Sequence, residues 1–180
     1  ADGHFYSLPS YNARVSTTMY SLNERWVKNV GAEMPKTLEE LYEVFKLIKA
    51  QDANGNGDPN DEICLSGAPK SMKRSMLGSV GINCYWPWQG VLVDAKDDKV
   101  FFVETTDEYK YLLSYLHKFW AEGMMDSEYF TQSGDQLKAK KNSDKVFMSD
   151  NFDDPESKSF NGVTGIVAPT PLTSKVNSTP

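Results

Sequence analysis

The sequence predicts a mixed α/β fold. Two patterns carry that expectation: apolar residues recur at helical spacing in several segments, and short β-branched or aromatic runs bounded by turn residues stand between them. Composition agrees, since 39% of the 180 residues are apolar and 24% charged, the balance of a chain that buries a core. The length suits one domain, at most with a satellite element. There is no internal repeat or low-complexity tract.

Taken in order, His4 to Pro9 reads as a short strand and Asn12 to Thr18 as a polar loop. From Ser21 to Val30, Leu22, Trp26, Val27 and Val30 recur at helical spacing, with Gly31 as the stop. A clear helix is predicted from Leu38 to about Ala50. Thr37 and Glu40 have capping-box spacing, and Leu38, Leu41, Tyr42, Phe45 and Ile48 form one apolar stripe. A second, short helix is expected from Pro69 to Val80, with Met72, Met76, Leu77 and Val80 inward. Val91 to Val93 and Val100 to Val103 flank a turn at Asp94 to Asp98 and predict a hairpin. Thr106 caps a long helix through Glu122 with the stripe Tyr109, Leu112, Leu113, Leu116 and Trp120, and Gly123 ends it. Ser133 and Gln136 open a further short helix to about Lys141. The strand Val146 to Met148, an acidic loop from Asp150 to Glu156, a last strand around Val163 to Ala168 and a Pro/Ser/Thr-rich close complete the chain.

Charge and composition narrow the function. Twenty-five Asp and Glu against nineteen Lys and Arg give a net charge of −6, which argues against a nucleic-acid partner and fits a neutral or cationic ligand. Two Cys and two His exclude a disulfide-dense mini-fold and speak against a Cys/His zinc site. No apolar run reaches the length of roughly 18 residues that a membrane-spanning helix needs. Motifs for nucleotide cradles and serine nucleophiles are absent, and adjacent acids such as Asp97-Asp98 and Asp153-Asp154 read as solvated surface rather than as an acid–base pair. Cys64 and Cys84 read equally as one bridge or as two buried thiols.

The sharpest chemical signal is Asp52-Ala53-Asn54-Gly55-Asn56-Gly57-Asp58-Pro59-Asn60-Asp61-Glu62. Oxygen-bearing side chains alternate at the first, third and fifth positions, and Gly57 at the sixth permits a sharp turn, which is how a calcium loop begins. The carbonyl of Asp58 would follow, then the acids Asp61 and Glu62. The four carboxylates in this run have no Lys or Arg among them, so the loop repels itself unless a cation is supplied. It departs from an EF-hand at Pro59 and at Ile63, where that motif wants an apolar residue and a bidentate Glu. The chain beyond, Ile63 to Gly67, does not continue as a helix, so the expected site is static and structural. The competing reading is a polar Asn/Gly turn after a helix.

The second signal is Tyr85-Trp86-Pro87-Trp88-Gln89. Two Trp flanking Pro either fill the core beside the hairpin or present aromatic faces in a loop, where they suit the C–H faces of a sugar.

In this order the motifs resemble the family 1 extracellular solute-binding proteins of bacterial ABC transporters, in the oligosaccharide-type lipoprotein branch. The resemblance lies in Asp2-Gly3-His4-Phe5-Tyr6-Ser7-Leu8-Pro9, the Trp26 segment, Met34-Pro35-Lys36-Thr37-Leu38-Glu39-Glu40-Leu41-Tyr42 with the loop after it, Thr105 to Lys110, and Phe119 to Asp126. It covers Asp2 to Asp135 well and the rest loosely. It implies one helix-rich lobe of a periplasmic-binding-protein-like (type II) two-lobe fold. Residues 1–10 would be the crossover strand from the first lobe, 11–165 the second lobe with its calcium loop at 52–62, and 166–180 the return crossover. It implies calcium at Asp52, Asn54, Asn56, Asp58, Asp61 and Glu62. One residue is inserted before the acidic pair, which adds Asn60 as a candidate. Cys64 stands where the family usually has Pro, and the Gly usual at the hairpin turn is missing, with Asp97-Asp98 in that region.

The function so implied is binding without catalysis: capture of a solute, an oligosaccharide by its aromatics, for uptake through an ABC-transporter permease. Trp86, Trp88, Tyr85, Tyr11 and Asn12 are the candidate ligand contacts. The opening Ala1-Asp2-Gly3-His4 carries no signal peptide or lipidated Cys, and the chain is expected to be most of one lobe of a longer extracellular lipoprotein whose anchor lies outside it. An oxidising exterior would favour a Cys64–Cys84 bridge. Two other readings compete. One is a fragment of a glycan-active hydrolase, which no motif here supports; the other is a calcium-stabilised protein-interaction module, whose dockerin-type examples carry two calcium segments where this chain has one.

Overall fold

The computed structural model describes residues 19–67, 76–80, 82, 91–94, 99–151 and 166–167. The expected strand at His4 to Pro9, the loop at Asn12 to Thr18, Met72 and most of the acidic loop after Asp150 fall outside them.

Six strands and four helices are described. In chain order they are β1 (Met19–Asn23), α1 (Glu24–Asn29), α2 (Leu38–Ala50), β2 (Ile63–Ser66), β3 (Val91–Asp94), β4 (Lys99–Phe102), α3 (Asp107–Ala121), α4 (Gly134–Asn142), β5 (Val146–Asn151) and β6 (Ile166–Val167). Four strands form a mixed sheet in the order β2-β5-β1-β6. β2 runs parallel to β5, while β1 is antiparallel to both β5 and β6. β3 and β4 pair as the expected antiparallel hairpin, Val91 opposite Phe102 and Asp94 opposite Lys99. Its far end is corrected: Val103 leaves the strand for a short 3-10 turn (Val103–Thr105) and is buried there.

The first helix starts later than periodicity suggests. Met19–Asn23 is a strand, because Tyr20, Ser21 and Leu22 pair with Asp150, Ser149 and Met148 of β5. The helix begins only after Asn23, whose side-chain oxygen accepts from the backbone N–H groups of Arg25 and Trp26. α2 has the expected bounds, and Thr37 caps it by accepting from the Glu40 N–H at 3.1 Å. The Glu40 carboxylate reaches back one residue further than a capping box requires, to the Lys36 N–H at 2.7 Å. Met76 and Leu77 are helical and buried, as expected, and Val80 is buried in the 3-10 turn that follows them (Gly78–Val80).

α3 is capped by Thr106 as read, but its buried stripe is Leu112, Tyr115 and Phe119. Leu113 and Trp120, which were expected inside, are each 46% exposed. The two lie seven residues apart on one flank of the helix. Tyr115 and Phe119, three and seven residues beyond Leu112, share its face of the helix, and that face is the one buried. Phe119 packs on Phe45 of α2 at 4.9 Å between ring centroids, and Phe45 meets Phe147 of β5 at 6.0 Å. Trp26 of α1 stacks on the same Phe147 at 6.1 Å. Three helices therefore close over the sheet around one aromatic centre. α4 carries the full capping box of Ser133 and Gln136.

On the outer side of β2 the chain returns in a single parallel bridge: the Leu65 N–H donates to the Met124 carbonyl at 3.0 Å, and the Asp126 N–H to the Leu65 carbonyl at 2.9 Å. Asp126 is 3% exposed. Its carboxylate accepts from Ser66 Oγ at 2.7 Å, from the Glu128 N–H at 3.0 Å and from Lys140 Nζ at 2.9 and 2.7 Å. This buried ion pair ties α4 to the last residue of β2.

Candidate metal centre

The loop between α2 and β2 is built by its own side chains. Asp52 Oδ1 accepts from the Gly55 and Asn56 N–H groups at 2.7 and 3.1 Å, and Oδ2 from the Gly57 N–H at 2.8 Å. Asn54 Oδ1 takes the Asn56 N–H at 2.9 Å, and Asn56 Oδ1 the Asp58 N–H at 2.7 Å. Each short polar side chain thus folds the backbone two to five residues on. The resulting turns put Gly55 and Gly57 at φ 77° and 94°, where any other residue is strained.

The acidic pair closes the loop. Asp61 accepts from the side-chain amides of Asn54 (3.0 Å) and Asn56 (2.9 Å) and faces Lys145 Nζ at 3.3 Å. Glu62 is 3% exposed; its Oε1 accepts from the Ala53 N–H at 3.0 Å. Its second oxygen, Oε2, is buried with no hydrogen-bond partner. Burial pushes the Glu62 carboxyl above the ordinary range; the neighbouring Asp61 charge adds to this, and backbone hydrogen bonds oppose it. A buried carboxylate oxygen left without a donor is costly, and a cation is what such an oxygen lacks.

The structure therefore draws Asp52, Asn54, Asn56, Asp61 and Glu62 into one hydrogen-bonded turn and leaves Asp58 and Asn60 exposed in it. Among the described residues no three Asp, Glu, His or Cys side chains are grouped closely enough to hold a metal by themselves. The two asparagine side chains would have to supply ligand oxygens as well. The all-oxygen donor set and the orphaned Glu62 oxygen fit a hard cation of the calcium type.

The surroundings of the loop were not legible locally. Arg25 Nη1 donates to the Asn54 carbonyl at 3.3 Å and pairs with Asp144. Asn29 Nδ2 donates to the Ala53 carbonyl at 2.9 Å, Asn54 Nδ2 to the Asp144 carbonyl at 3.3 Å, and Lys49 Nζ to the Glu62 carbonyl at 3.4 Å. Asp144 has φ 56°, in the left-handed region, a conformation Asp tolerates better than most. Its position after α4, in the turn Ser143-Asp144, was the only sequence hint.

Tyr11, Asn12, Tyr85, Trp86 and Trp88, the candidate ligand contacts, lie outside the described residues. Cys64 is a free thiol, fully buried, and donates to the Phe45 carbonyl at 3.6 Å. Cys84 lies outside the described residues. No helix among the described residues is long and apolar enough to cross a membrane.

The mixed helix-and-strand fold matches that of two-lobed, periplasmic-binding-protein-like solute-binding proteins. No protein-family model matches the chain. Individual relatives do: the chain is homologous to the substrate-binding proteins of ABC transporters, which are binding proteins and not enzymes. It is 31% identical over 150 residues to the fructooligosaccharide ABC transporter substrate-binding protein FusA of Streptococcus pneumoniae serotype 4 (strain ATCC BAA-334 / TIGR4), a match covering 77% of this chain and 27% of that protein. It is 30% identical over 112 residues to lipoprotein LipO of Bacillus subtilis (strain 168), covering 58% of this chain and 20% of that protein. Two solved structures of FusA match. One, in complex with kestose, has a TM-score of 0.70 at 27% identity; the other, an EF-hand mutant with fructo-nystose, has 0.71 at 25%. Each covers 87% of this chain and 31% of FusA. An extracellular solute-binding protein from Bifidobacterium longum subsp. infantis matches at 0.66 and 28%, covering 78% of this chain and 30% of that one. The chain thus spans less than a third of the length of these relatives.

Proposed function

We propose that the chain is the second lobe of an extracellular, lipid-anchored solute-binding protein that captures an oligosaccharide for an ABC-transporter permease. The observation that carries this reading is the match to FusA in both sequence and structure over most of this chain. Residues 11–165 would be the lobe, with 1–10 and 166–180 as the crossovers to the other lobe. The name of lipoprotein LipO supports the anchored, extracellular setting. Tyr11, Asn12, Tyr85, Trp86 and Trp88 would supply aromatic faces and an amide to the sugar.

The same protein would hold one structural calcium ion. Asp52, Asn54, Asn56, Asp61 and Glu62 would give side-chain oxygens and Asp58 a carbonyl, with Asn60 in support. The partnerless Glu62 Oε2 supports this, as does the fact that one matching FusA structure is an EF-hand mutant. The ion would supply the positive charge the loop lacks and fix the end of α2 to the start of β2. A cation that binds only the native state stabilises by about 2.7 kcal/mol at 100-fold excess over its dissociation constant. For a chain of this size that is on the order of 5–10 °C in Tm. Carefully decalcified protein should melt higher by that amount in millimolar calcium; an unchanged Tm refutes the metal site. A thermal-shift screen over fructo- and other oligosaccharides on the full-length parent tests the ligand, and no shift with any of them refutes the sugar reading.

A further inference from the structure

We infer that Lys145 is a resident counter-cation of the 52–62 loop: its ammonium group holds the metal-free loop together and weakens calcium binding by competing for Asp61. The inference rests on the calcium reading and names the residue that tunes it.

The loop has four carboxylates and no basic residue of its own. Among the described residues, three cationic side chains approach it from outside. Arg25 and Lys49 donate to main-chain carbonyls, those of Asn54 and Glu62. Lys145 instead faces a carboxylate, with Nζ 3.3 Å from Asp61 Oδ2. The Asp61 side chain is 14% exposed and that of Lys145 44%. The remaining demand of Asp61 is met by the amide groups of Asn54 and Asn56, the two side chains whose oxygens a cation would recruit. The loop as it stands thus neutralises Asp61 with its own amides and one borrowed ammonium group, while Glu62 Oε2 is left buried and unserved.

Lys145 cannot drift away. Its carbonyl accepts the Ile63 N–H at 2.9 Å, and its N–H donates to the Lys140 carbonyl at 3.1 Å. The backbone is pinned beside the loop, and only the half-exposed stem is free to swing into water. When a dication arrives at Asp61, the ammonium group must leave the carboxylate or stand beside a like charge. Both effects act in one direction: Lys145 lowers the free energy of the metal-free state and raises that of the metal-bound one. A half-exposed ion pair alone is modest, about twofold to fivefold in an equilibrium constant. Repulsion from a dication adds to it at low ionic strength.

The test is calorimetric titration of calcium chloride into decalcified wild type, Lys145→Met and Lys145→Arg, at low and at high salt, with Tm measured metal-free and calcium-loaded. Lys145→Gln is the second variant should Lys145→Met fail to fold. The expected result has four parts. The calcium dissociation constant of Lys145→Met falls about fivefold at low salt, and the difference shrinks at high salt. Lys145→Arg keeps the wild-type constant, and the gap between metal-free and calcium-loaded Tm widens in Lys145→Met. A purely structural lysine would lower both Tm values equally and leave the constant unchanged or weaker, and that overturns the inference while the calcium site stands. Binding by Lys145→Met but not by wild type would support it most strongly. Binding by neither would remove the calcium reading and the inference together.

Discussion

Replacing Lys140 by Met would strand a buried charge. The methionine keeps most of the aliphatic stem and removes the ammonium group, which serves Asp126 Oδ1 and Oδ2, Glu128 Oε2 at 2.7 Å and Gln132 Oε1 at 3.1 Å. Glu128 is more than half exposed, so its share is small. Asp126 is the group that suffers. It keeps the Ser66 hydroxyl and the Glu128 N–H but is 3% exposed and has lost its counter-charge. Breaking a buried pair from one side costs about 3–5 kcal/mol. The Lys140 side chain is 19% exposed, so water and relaxation reduce that to about 3 kcal/mol here. At roughly 2–4 °C per kcal/mol the Tm should fall by about 6–12 °C.

The pH dependence gives a second signature. In the native protein burial alone would raise the Asp126 carboxyl. Hydrogen bonds from Lys140, Ser66 and the Glu128 N–H, with the Lys140 charge, more than offset it and hold the group below the ordinary carboxylate range. A depressed acid contributes stability that is complete above its unfolded value of about 3.9 and is lost as pH falls through the folded value. Wild type therefore keeps this contribution from neutral pH down to about pH 4. Without Lys140, burial wins and the group is raised, so stability is lost as pH rises through that raised value. The difference between wild type and Lys140→Met, measured by urea unfolding, should be largest near pH 7 and shrink towards pH 4. Adding Asp126→Asn to Lys140→Met should recover part of the loss, because the stranded charge is gone. A difference under about 1 kcal/mol at pH 7, or a double variant less stable than Lys140→Met, would refute the reasoning.

Two further outcomes follow from the core. Phe119→Ala should cost about 3–5 kcal/mol in denaturant unfolding, since its fully buried ring faces Phe45 across the α2–α3 seam; a loss below about 1 kcal/mol would mean the aromatic centre repacks freely. Burial pushes the Cys64 thiol up to about 12, so at pH 8 a thiol reagent should leave it unmodified in native protein and label it on unfolding; rapid native labelling at Cys64, located by peptide mapping, would contradict its burial.

What could be read from the sequence divides by the range of the interaction. The bounds of α2, the Ser133–Gln136 box and the turn-forming half of the 52–62 loop depend on residues within five positions of each other, and local chemistry settles them. Spacing alone puts Ser21 to Asn23 in a helix, because Leu22 and Trp26 are four apart. The strand exists because of pairing to β5, more than a hundred residues away, and the one local hint was that Asn23 is a good cap. On α3 the expected stripe is rotated from the buried one because it takes in Leu113 and Trp120 and leaves out Tyr115 and Phe119. Arg25, Asn29, Asp144 and Lys145 gather at the loop only once β2 and β5 are in register, so their roles were beyond local reading.

That register also bears on what the loop does. β2 and β5 are parallel, Ile63 opposite Val146 and Ser66 opposite Ser149. The 52–62 loop enters β2 at its amino end, and Lys145 stands immediately before the amino end of β5. Open α/β sheets place ligands at the carboxyl ends of their parallel strands. The loop therefore occupies the edge opposite the one where a sugar is expected, and Ser66, held by Asp126, is at the other. With the sugar at those carboxyl ends, a cation here would lie away from it. It would act on the sheet instead, by fixing where α2 stops and β2 begins. Loss of the ion should then change ligand affinity only to the extent that it changes the fraction of folded protein.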